Sequence, residues 1–540
     1  MKTIIFGLDA FDFRYLERYQ DSLPHLGALR GRGVEADLES THPPWTGSAW
    51  PSMYTGTDPS HHGVYGFFSY DGYPDSGRVV SRADVDNPAL WEYLSNAGRS
   101  SVVMNVPVTH PASSLSGVLL PGYLANEADP GYPESIRERL ETQLGEPYRI
   151  YSSHETDDNP DKKLRGYLDL IDLRRRAALA ILEDVDWECA FIQVQKTDAV
   201  FHNFDSDRDF RAIYGAADRL VGDVLNQVTE PVNVIVCSDH GIGPVTGYSI
   251  YVNEILRQHG FLEATTEGRQ LSLESTKSSL LGMESSTNSE SHRRLQRGLD
   301  VLAGVGITPN AVYTLASRLG LEDALVRLTP ASLRNAAAED VDWRNSRAYC
   351  ADPTRLGIRI NLEGREPAGV VPEAEYESVR AELIDIFSHL ETPDGEPAFK
   401  RVCRREAYYD GPHTASAPDI LFFPTDMNHK ISTALYGRQF VSADIYDHKR
   451  NGVFIGAGPA FTDDIPATLS LTDVAPITLA TLEQAIPERM TGRVPDGLLT
   501  EAFTPHYEFY EELDFTDTEK TATPTDEQAV TERLEDMGYL

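Results

Sequence analysis

The chain has 540 residues, 84 acidic against 48 basic side chains, and a formal net charge of −36. That carboxylate surplus repels nucleic-acid phosphates and anionic membrane surfaces, so it excludes both as expected partners, and it fits a protein kept soluble at high salt. A hydrophobic content of 41% supplies a sizeable core, and the length suits two to four domain-sized units or one large core with insertions. The four cysteines, Cys189, Cys237, Cys350 and Cys403, form no CxxC pair and read as reduced thiols. The apolar N-terminal run ends at Asp9, too early for a signal segment, and no stretch approaches the roughly 20 apolar residues of a membrane helix. The expectation is a soluble cytoplasmic protein without membrane insertion.

Taken in order, Thr3 to Leu8 predicts a buried strand with Asp9 at its C-terminal end, where Asp9 suits either a metal ligand or a helix N-cap. The stretch from His42 to Gly56 is dense in turn formers and small hydroxyls and leads into a helix. A helix N-terminus offers free N–H groups to an anion, and a hydroxyl placed there beside metals would be an activated nucleophile. Ser48, Ser52 and Thr55 read as caps or solvent-facing loop residues. A helix is predicted from Leu90 to Ala97, a strand from Ser101 to Val106, a helix from Arg165 to Val185 and a strand from Ala190 to Val194. Asp198 and His202 follow at i,i+4, which one helical turn places on the same face, as a metal pair or a surface pair. A further helix, Phe210 to Val228, precedes the apolar strand Val232 to Val236, which delivers Asp239 and His240 at its C-terminal end. In open α/β sheets that edge is where ligands bind.

From about Thr265 the pattern turns polar and Ser-rich, then amphipathic. The expected organisation is a first core part over 1–264, a mostly helical insertion over 265–345, a second core part over 346–500, and an acidic tail over 501–540 with a short helix. In the second core part, strands are predicted at Gly357 to Leu362, Asp419 to Phe423 and Val453 to Pro459. Helices are predicted from Ala374 to Leu390 and from Thr472 to Gln484, and His448 stands before the glycine-rich strand.

Three strand ends therefore each supply metal-ligand residue types, His448 adds another, and Thr46 supplies a hydroxyl. With Gly7-Leu8-Asp9-Ala10, the Thr46 to Gly56 loop, His62-Gly63, Asn105-Val106-Pro107, Asp198-xxx-His202, Ser238-Asp239-His240-Gly241 and His448-xxx-Gly452 in this order, the chain resembles the alkaline phosphatase superfamily. Within it, the resemblance is to the type I phosphodiesterase/nucleotide pyrophosphatase family. It implies a three-layer α/β core with a largely parallel central sheet. It also implies two divalent metal ions, zinc or alternatively manganese. One would be held by Asp9, Thr46, Asp239 and His240, the other by Asp198, His202 and His448. The implied reaction is hydrolysis of a small-molecule phosphoric ester, a diester or pyrophosphate, through a covalent phosphothreonine at Thr46.

One departure concerns the substrate. The family carries an Asn about twenty residues after the nucleophile, and here that region reads Tyr65-Gly66-Phe67-Phe68-Ser69-Tyr70. Asn105 is a candidate replacement or a structural residue. Tyr65 and Phe67 are candidates to contact a base or an apolar leaving group, or to join an aromatic core cluster. A phosphomutase or a transferase to an alcohol would use much the same ligands. A sulfatase would need a Cys or Ser nucleophile followed by Pro and Arg, and no cysteine here sits in Cys-x-Pro-x-Arg. A silent metal-binding interaction protein would be expected to have lost a ligand or Thr46.

Overall fold

Ten strands frame the functional region: β1 (Lys2–Leu8), β2 (Val34–Glu39), β3 (Ser101–Met104), β4 (Gly117–Leu120), β5 (Cys189–Val194), β6 (Val232–Cys237), β7 (Gly241–Val245), β8 (Ile445–Lys449), β9 (Asn451–Ala457) and β10 (Thr468–Ser470). They belong to a computed structural model that describes residues 1–265 and 340–510, apart from 71, 73–76 and 436, together with Leu534. Eight of the strands form one sheet in the spatial order β10-β2-β9-β6-β1-β5-β3-β4, and β7 pairs with β8 as a separate antiparallel ribbon. The central sheet is parallel throughout except for β9, which runs antiparallel to both β2 and β6. A largely parallel sheet, as expected, is what alternating strand and helix patterns produce.

Register is what makes this sheet a platform. Leu8 pairs with Val194 and Gly7 with Cys237, so β1, β5 and β6 end level with one another. The residues that follow, Asp9, the Gln195–Asp198 segment and Ser238–His240, are thereby delivered to one edge. Both faces of β1 are covered: Thr3 and Ile5 on one face and Ile4, Phe6 and Leu8 on the other are all fully buried. Gly7 is required where it stands, because a Cβ there would lie 2.6 Å from the Trp50 ring.

Six helices matter for the site: α1 (Thr46–Thr55), α2 (Pro160–Asp184), α3 (Lys196–Asn203), α4 (Asp207–Gln227), α5 (Glu373–Ser388) and α6 (Val474–Thr481). α1 and α6 pack together over one sheet face, where Thr3 Oγ1 lies 2.9 Å from Thr481 Oγ1. α2 begins with Pro160 and an Asn159 cap whose side chain accepts from the Lys162 N–H, a good start signal. It packs against α4, whose Phe210, Ile213, Tyr214, Ala217, Leu220, Val221 and Val224 recur at helical spacing and are buried.

Among the described residues of 346–500, only β9 and β10 join the central sheet. Ala348–Tyr349, Gly357–Ile360, Ile420–Pro424 and Phe399–Arg404 form their own four-stranded antiparallel sheet, with α5 against it. The expected helical insertion falls almost wholly on residues 266–339, and the expected tail helix on residues after 510; both lie outside the described residues apart from Leu534. Among the described residues no helix is long and apolar enough to cross a membrane, and all four cysteines are free thiols.

Candidate functional site

The seven residues singled out for chemistry converge, although they span positions 9 to 448. Asp9 follows β1 directly. It caps no helix; Asp12 does that, accepting from the Arg14 N–H. Asp198 and His202 are one turn apart on α3, and Asp239 and His240 form the turn between β6 and β7. His448 lies in β8 opposite Ile242 of β7, so the ribbon carries it over the sheet edge. Thr46 is the first residue of α1, after Trp45 in an extended conformation.

Two groups of three ligand atoms result, Asp9–Asp239–His240 and Asp198–His240–His448, with the atoms of each group within 4.8 Å of one another. His240 stands between them, its Nε2 3.6 Å from Asp9 Oδ1 and 3.2 Å from Asp239 Oδ2. His202 attaches to the second group through Asp198, with Nε2 3.1 Å from Asp198 Oδ1; His448 Nε2 is 3.7 Å from the same oxygen. The His240 and His448 rings stack at 3.8 Å between centroids. Thr46 Oγ1 donates to Asp9 Oδ1 at 3.4 Å.

The donor set fits divalent cations. His240 Nδ1 bonds the Gly241 carbonyl at 3.0 Å and His448 Nδ1 the Pro44 carbonyl at 2.9 Å. A carbonyl only accepts, so each Nδ1 carries the proton and each Nε2 keeps a lone pair facing the centre. Asp239 Oδ2 and His240 Nε2 are buried without a hydrogen bond. Such atoms are costly unless a ligand satisfies them. Burial, followed by repulsion from Asp239 and Asp198, raises the Asp9 carboxyl well above its ordinary range. Burial also raises Asp239, although His240 works against the rise. Asp198 goes the other way: burial opposes its ionisation, yet the charge and hydrogen bond of His202 hold it below the ordinary range. Burial and the neighbouring His240 keep the His448 imidazole neutral, the form that binds a metal.

Two positioning residues were not legible as functional. Asp9 Oδ2 accepts from Gln193 Nε2 at 2.8 Å and from Trp50 Nε1 at 3.0 Å, which leaves Oδ1 turned toward Thr46 and His240. Asp239 Oδ1 accepts from the Ala10 N–H at 3.3 Å, leaving Oδ2 for the centre. Trp50 sits one helical turn after Thr46 and Gln193 faces Gly7 across the β1–β5 pairing. Those placements are the signal that would have found them.

The hydroxyls after Thr46 differ from expectation. Ser48, Ser52 and Thr55 do not face solvent: all lie inside α1, buried. Ser48 Oγ donates to the Pro43 carbonyl, Ser52 Oγ to the Ser48 carbonyl and Thr55 Oγ1 to the Pro51 carbonyl. Asn105 is held at both ends of its amide, donating to the Pro121 carbonyl and accepting from the Tyr148 hydroxyl. Tyr65 packs with Tyr409, Ala417 and Leu421 and donates to the His413 carbonyl; Phe67 is core and lies over Gly47. A cleft of about 920 Å³ opens beside the ligand set, with Trp45, His202, Tyr446, Asp447 and His448 in its walls. None of Asn105, Tyr65 and Phe67 is among the described residues that line it.

Known proteins share this fold and part of this sequence. Phosphonoacetate hydrolase of Sinorhizobium meliloti shares the fold with a TM-score of 0.55 at 14% identity, over 89% of this chain and 96% of that one. The alkaline phosphatase PafA does so with a TM-score of 0.51 at 14% identity, over 92% and 98%. In sequence, ectonucleotide pyrophosphatase/phosphodiesterase family member 3 of Rattus norvegicus is 28% identical over 90 residues, 16% of this chain and 10% of that protein. The sequence model described as Type I phosphodiesterase / nucleotide pyrophosphatase matches residues 3–437, a span that takes in every proposed ligand except His448. The chain belongs to the type I phosphodiesterase/nucleotide pyrophosphatase family, and it shares its fold with the phosphonoacetate hydrolase and the alkaline phosphatase just named.

Proposed function

We propose that the chain hydrolyses a small-molecule phosphoric ester with two divalent cations and a covalent phosphothreonine at Thr46. The observation that carries this reading is the position of Thr46 Oγ1, at the start of α1 and 3.4 Å from Asp9 Oδ1, beside a set of oxygen and nitrogen donors that contains no thiolate. Asp9, Asp239 and His240 would hold one cation, with Thr46 beside it, and Asp198, His202 and His448 the other. Such donors suit zinc, with manganese as a substitute. Bound there, the pair would neutralise phosphoryl charge and favour the ionised hydroxyl.

The chain's own residues do the rest. The rigid Pro43-Pro44-Trp45 entry and the buried helix behind it fix Thr46 as the attacking group, and positioning supplies much of the rate in phosphoryl transfer. The first N–H groups of α1 have no partner within the helix and can bind a non-bridging phosphate oxygen. The Thr46 oxygen bonds to phosphorus as the bond to the leaving alcohol breaks; water then attacks phosphorus and releases Thr46 with the phosphate product. The cleft beside His202 and His448 would take the non-reacting part of the ester. The test is to quench metal-loaded protein at low pH during turnover of an aryl phosphodiester and map the phosphate by mass spectrometry. The substrate's phosphoryl group on Thr46, still carrying its second ester, supports the proposal. Phosphate on Ser48, or turnover with no covalent intermediate, overturns it.

A further inference from the structure

α2 carries three consecutive arginines, and their surroundings differ. Arg175 and Arg176 are half-buried and ion-paired, the first with Asp172 and Asp223, the second with Asp172 and Glu146. Arg174 is turned inward and is 2% exposed. It forms no ion pair among the described residues. Its Nη2 donates to the Ile150 carbonyl at 2.9 Å, while Nε and Nη1 are buried with no hydrogen-bond partner. Burial accordingly pulls its pKa below the ordinary value.

The acidic groups that act on Arg174 are Tyr148, Glu155, Glu127 and Asp9, and each is committed elsewhere. The Tyr148 hydroxyl gives its proton to Asn105. Glu155 pairs with the buried Lys196 and accepts from the Ser152 N–H at 2.9 Å. Glu127 pairs with Arg137 at 3.2 Å and accepts from the Ile150 and Tyr151 N–H groups at 2.9 and 3.1 Å. Asp9 belongs to the proposed metal-ligand set. Three cations, Arg137, Lys196 and Arg174, thus meet two carboxylates, Glu127 and Glu155, and the cation left over is Arg174. A buried charge without a counter-charge is strongly unfavourable. Water can satisfy the two unbonded nitrogens but leaves that charge in place; an anion answers both. Arg174 offers only donors, so its ligand must be a pure acceptor. A monatomic anion needs nothing more, whereas a phosphate or sulfate would bring oxygens for which no further donor stands ready.

We propose that the unbonded side of the Arg174 guanidinium binds a halide, chloride under ordinary conditions, as a structural ligand of the fold. The Ile150 contact ties α2 to the segment 148–155. That segment in turn holds Asn105 through Tyr148 and, through Glu155, Lys196 at the start of α3. α3 carries Asp198 and His202, so the anion braces the helix that presents two of the proposed cation ligands. It takes no part in the reaction proposed for Thr46.

The test compares the full, zinc-loaded chain in sodium chloride and in sodium gluconate at equal ionic strength, because a chain of net charge −36 gains stability from screening by any salt. Wild type should melt roughly 1–3 °C higher in chloride, the shift expected of a ligand well above its Kd in a chain of this size. Arg174→Met should melt at the same temperature in both salts. In crystals of wild type soaked in bromide, an anomalous peak should lie at hydrogen-bond distance from Arg174 Nε or Nη1. A chloride effect as large in Arg174→Met as in wild type would mean that chloride acts elsewhere, at the metals for instance, and overturns the site. Bromide-soaked crystals with only water against Arg174 overturn it too, and they decide alone if Arg174→Met does not fold. Neither readout involves turnover, so the result is independent of whether Thr46 is the nucleophile.

Discussion

Thr46 is singled out less by its own contacts than by the occupation of its neighbours. Ser48, Ser52 and Thr55 each spend their hydroxyl proton on a carbonyl of α1 or its entry, whereas Thr46 turns toward Asp9. Thr46→Ala should therefore leave the fold intact while lowering kcat by roughly 10³-fold or more. Thr46→Ser should keep part of the rate, since the hydroxyl survives but the β-methyl that restricts its rotamer is lost. Ser48→Ala should cost far less. Steady-state kinetics on an aryl phosphodiester decide among these. The residues behind Asp9 matter in a different way. Gln193→Leu removes one of the two donors that turn Asp9 Oδ1 toward the centre. Loss of such an outer partner typically weakens metal binding by about 10–100-fold. Zinc titration of Gln193→Leu should show that weakening, and kcat at saturating metal should fall less than the affinity. An unchanged affinity would mean that Trp50 alone holds the carboxylate.

Among the elements, the antiparallel strand β9 is the one whose attachment to the site is most specific. Ser238, next to the proposed ligand Asp239, accepts from the Val453 N–H at 2.8 Å and donates to the Phe11 carbonyl at 2.9 Å. One hydroxyl thus ties β9 to the loop after β1 directly beneath the ligand set. Gly452 leaves room for it: a Cβ there would lie 2.2 Å from Ser238 Oγ and 3.0 Å from the His240 carbonyl oxygen. Ser238→Ala leaves a buried N–H and a buried carbonyl without that partner and should destabilise the protein by roughly 1–3 kcal/mol, read by chemical denaturation. Gly452→Ala should act on the site as well, because relief of the contact moves the His240 turn. The expected signature is a loss of metal affinity larger than in Ser238→Ala. Equal metal affinity in the two variants would show that the His240 turn is held by β7 alone.

For the whole molecule, two buried histidines outside the proposed ligand set lower its stability in acid. His62 accepts from the Val64 N–H at Nδ1 and so donates from Nε2 to Ser52 Oγ, a network that only the neutral ring can make. Burial pushes its pKa down to about 3. Burial, with Arg450 and Arg401 adding to it, also pushes His42 down to about 3. In the unfolded chain both rings titrate near their ordinary value. Between roughly pH 6.5 and pH 3 the unfolded state therefore binds protons that the folded state refuses, and stability falls as pH falls through that window. Above pH 6.5 neither ring contributes a slope. Each group adds about 1 kcal/mol per pH unit inside the window. His62→Gln should flatten the fall in unfolding free energy between pH 6 and pH 4.5 by about that amount, and an unchanged slope would show that His62 is protonated in the folded state.

How much of this was legible in the chain follows from what local sequence can encode. The strands at Thr3, Ala190 and Val232, the helices around α2 and α4, and the ligand types at Asp9, Asp198, Asp239 and His240 were readable, because an apolar run that ends in a carboxylate or imidazole is a local pattern. An apolar run carries no direction, so nothing in Val453 to Ala457 announced that β9 alone would run antiparallel. Thr46 was readable through the order of the family's motifs, whereas the turning of Ser48, Ser52 and Thr55 back onto carbonyls of α1 or its entry was decided by the fold. Trp50 and Gln193 acquire their role only when β1, β5 and α1 meet. Asn105 loses its candidate role to a tyrosine 43 residues away. The placing of His240 between two ligand groups is likewise a product of register: β1, β5 and β6 end level, and that level edge brings together side chains whose sequence separations exceed any local period.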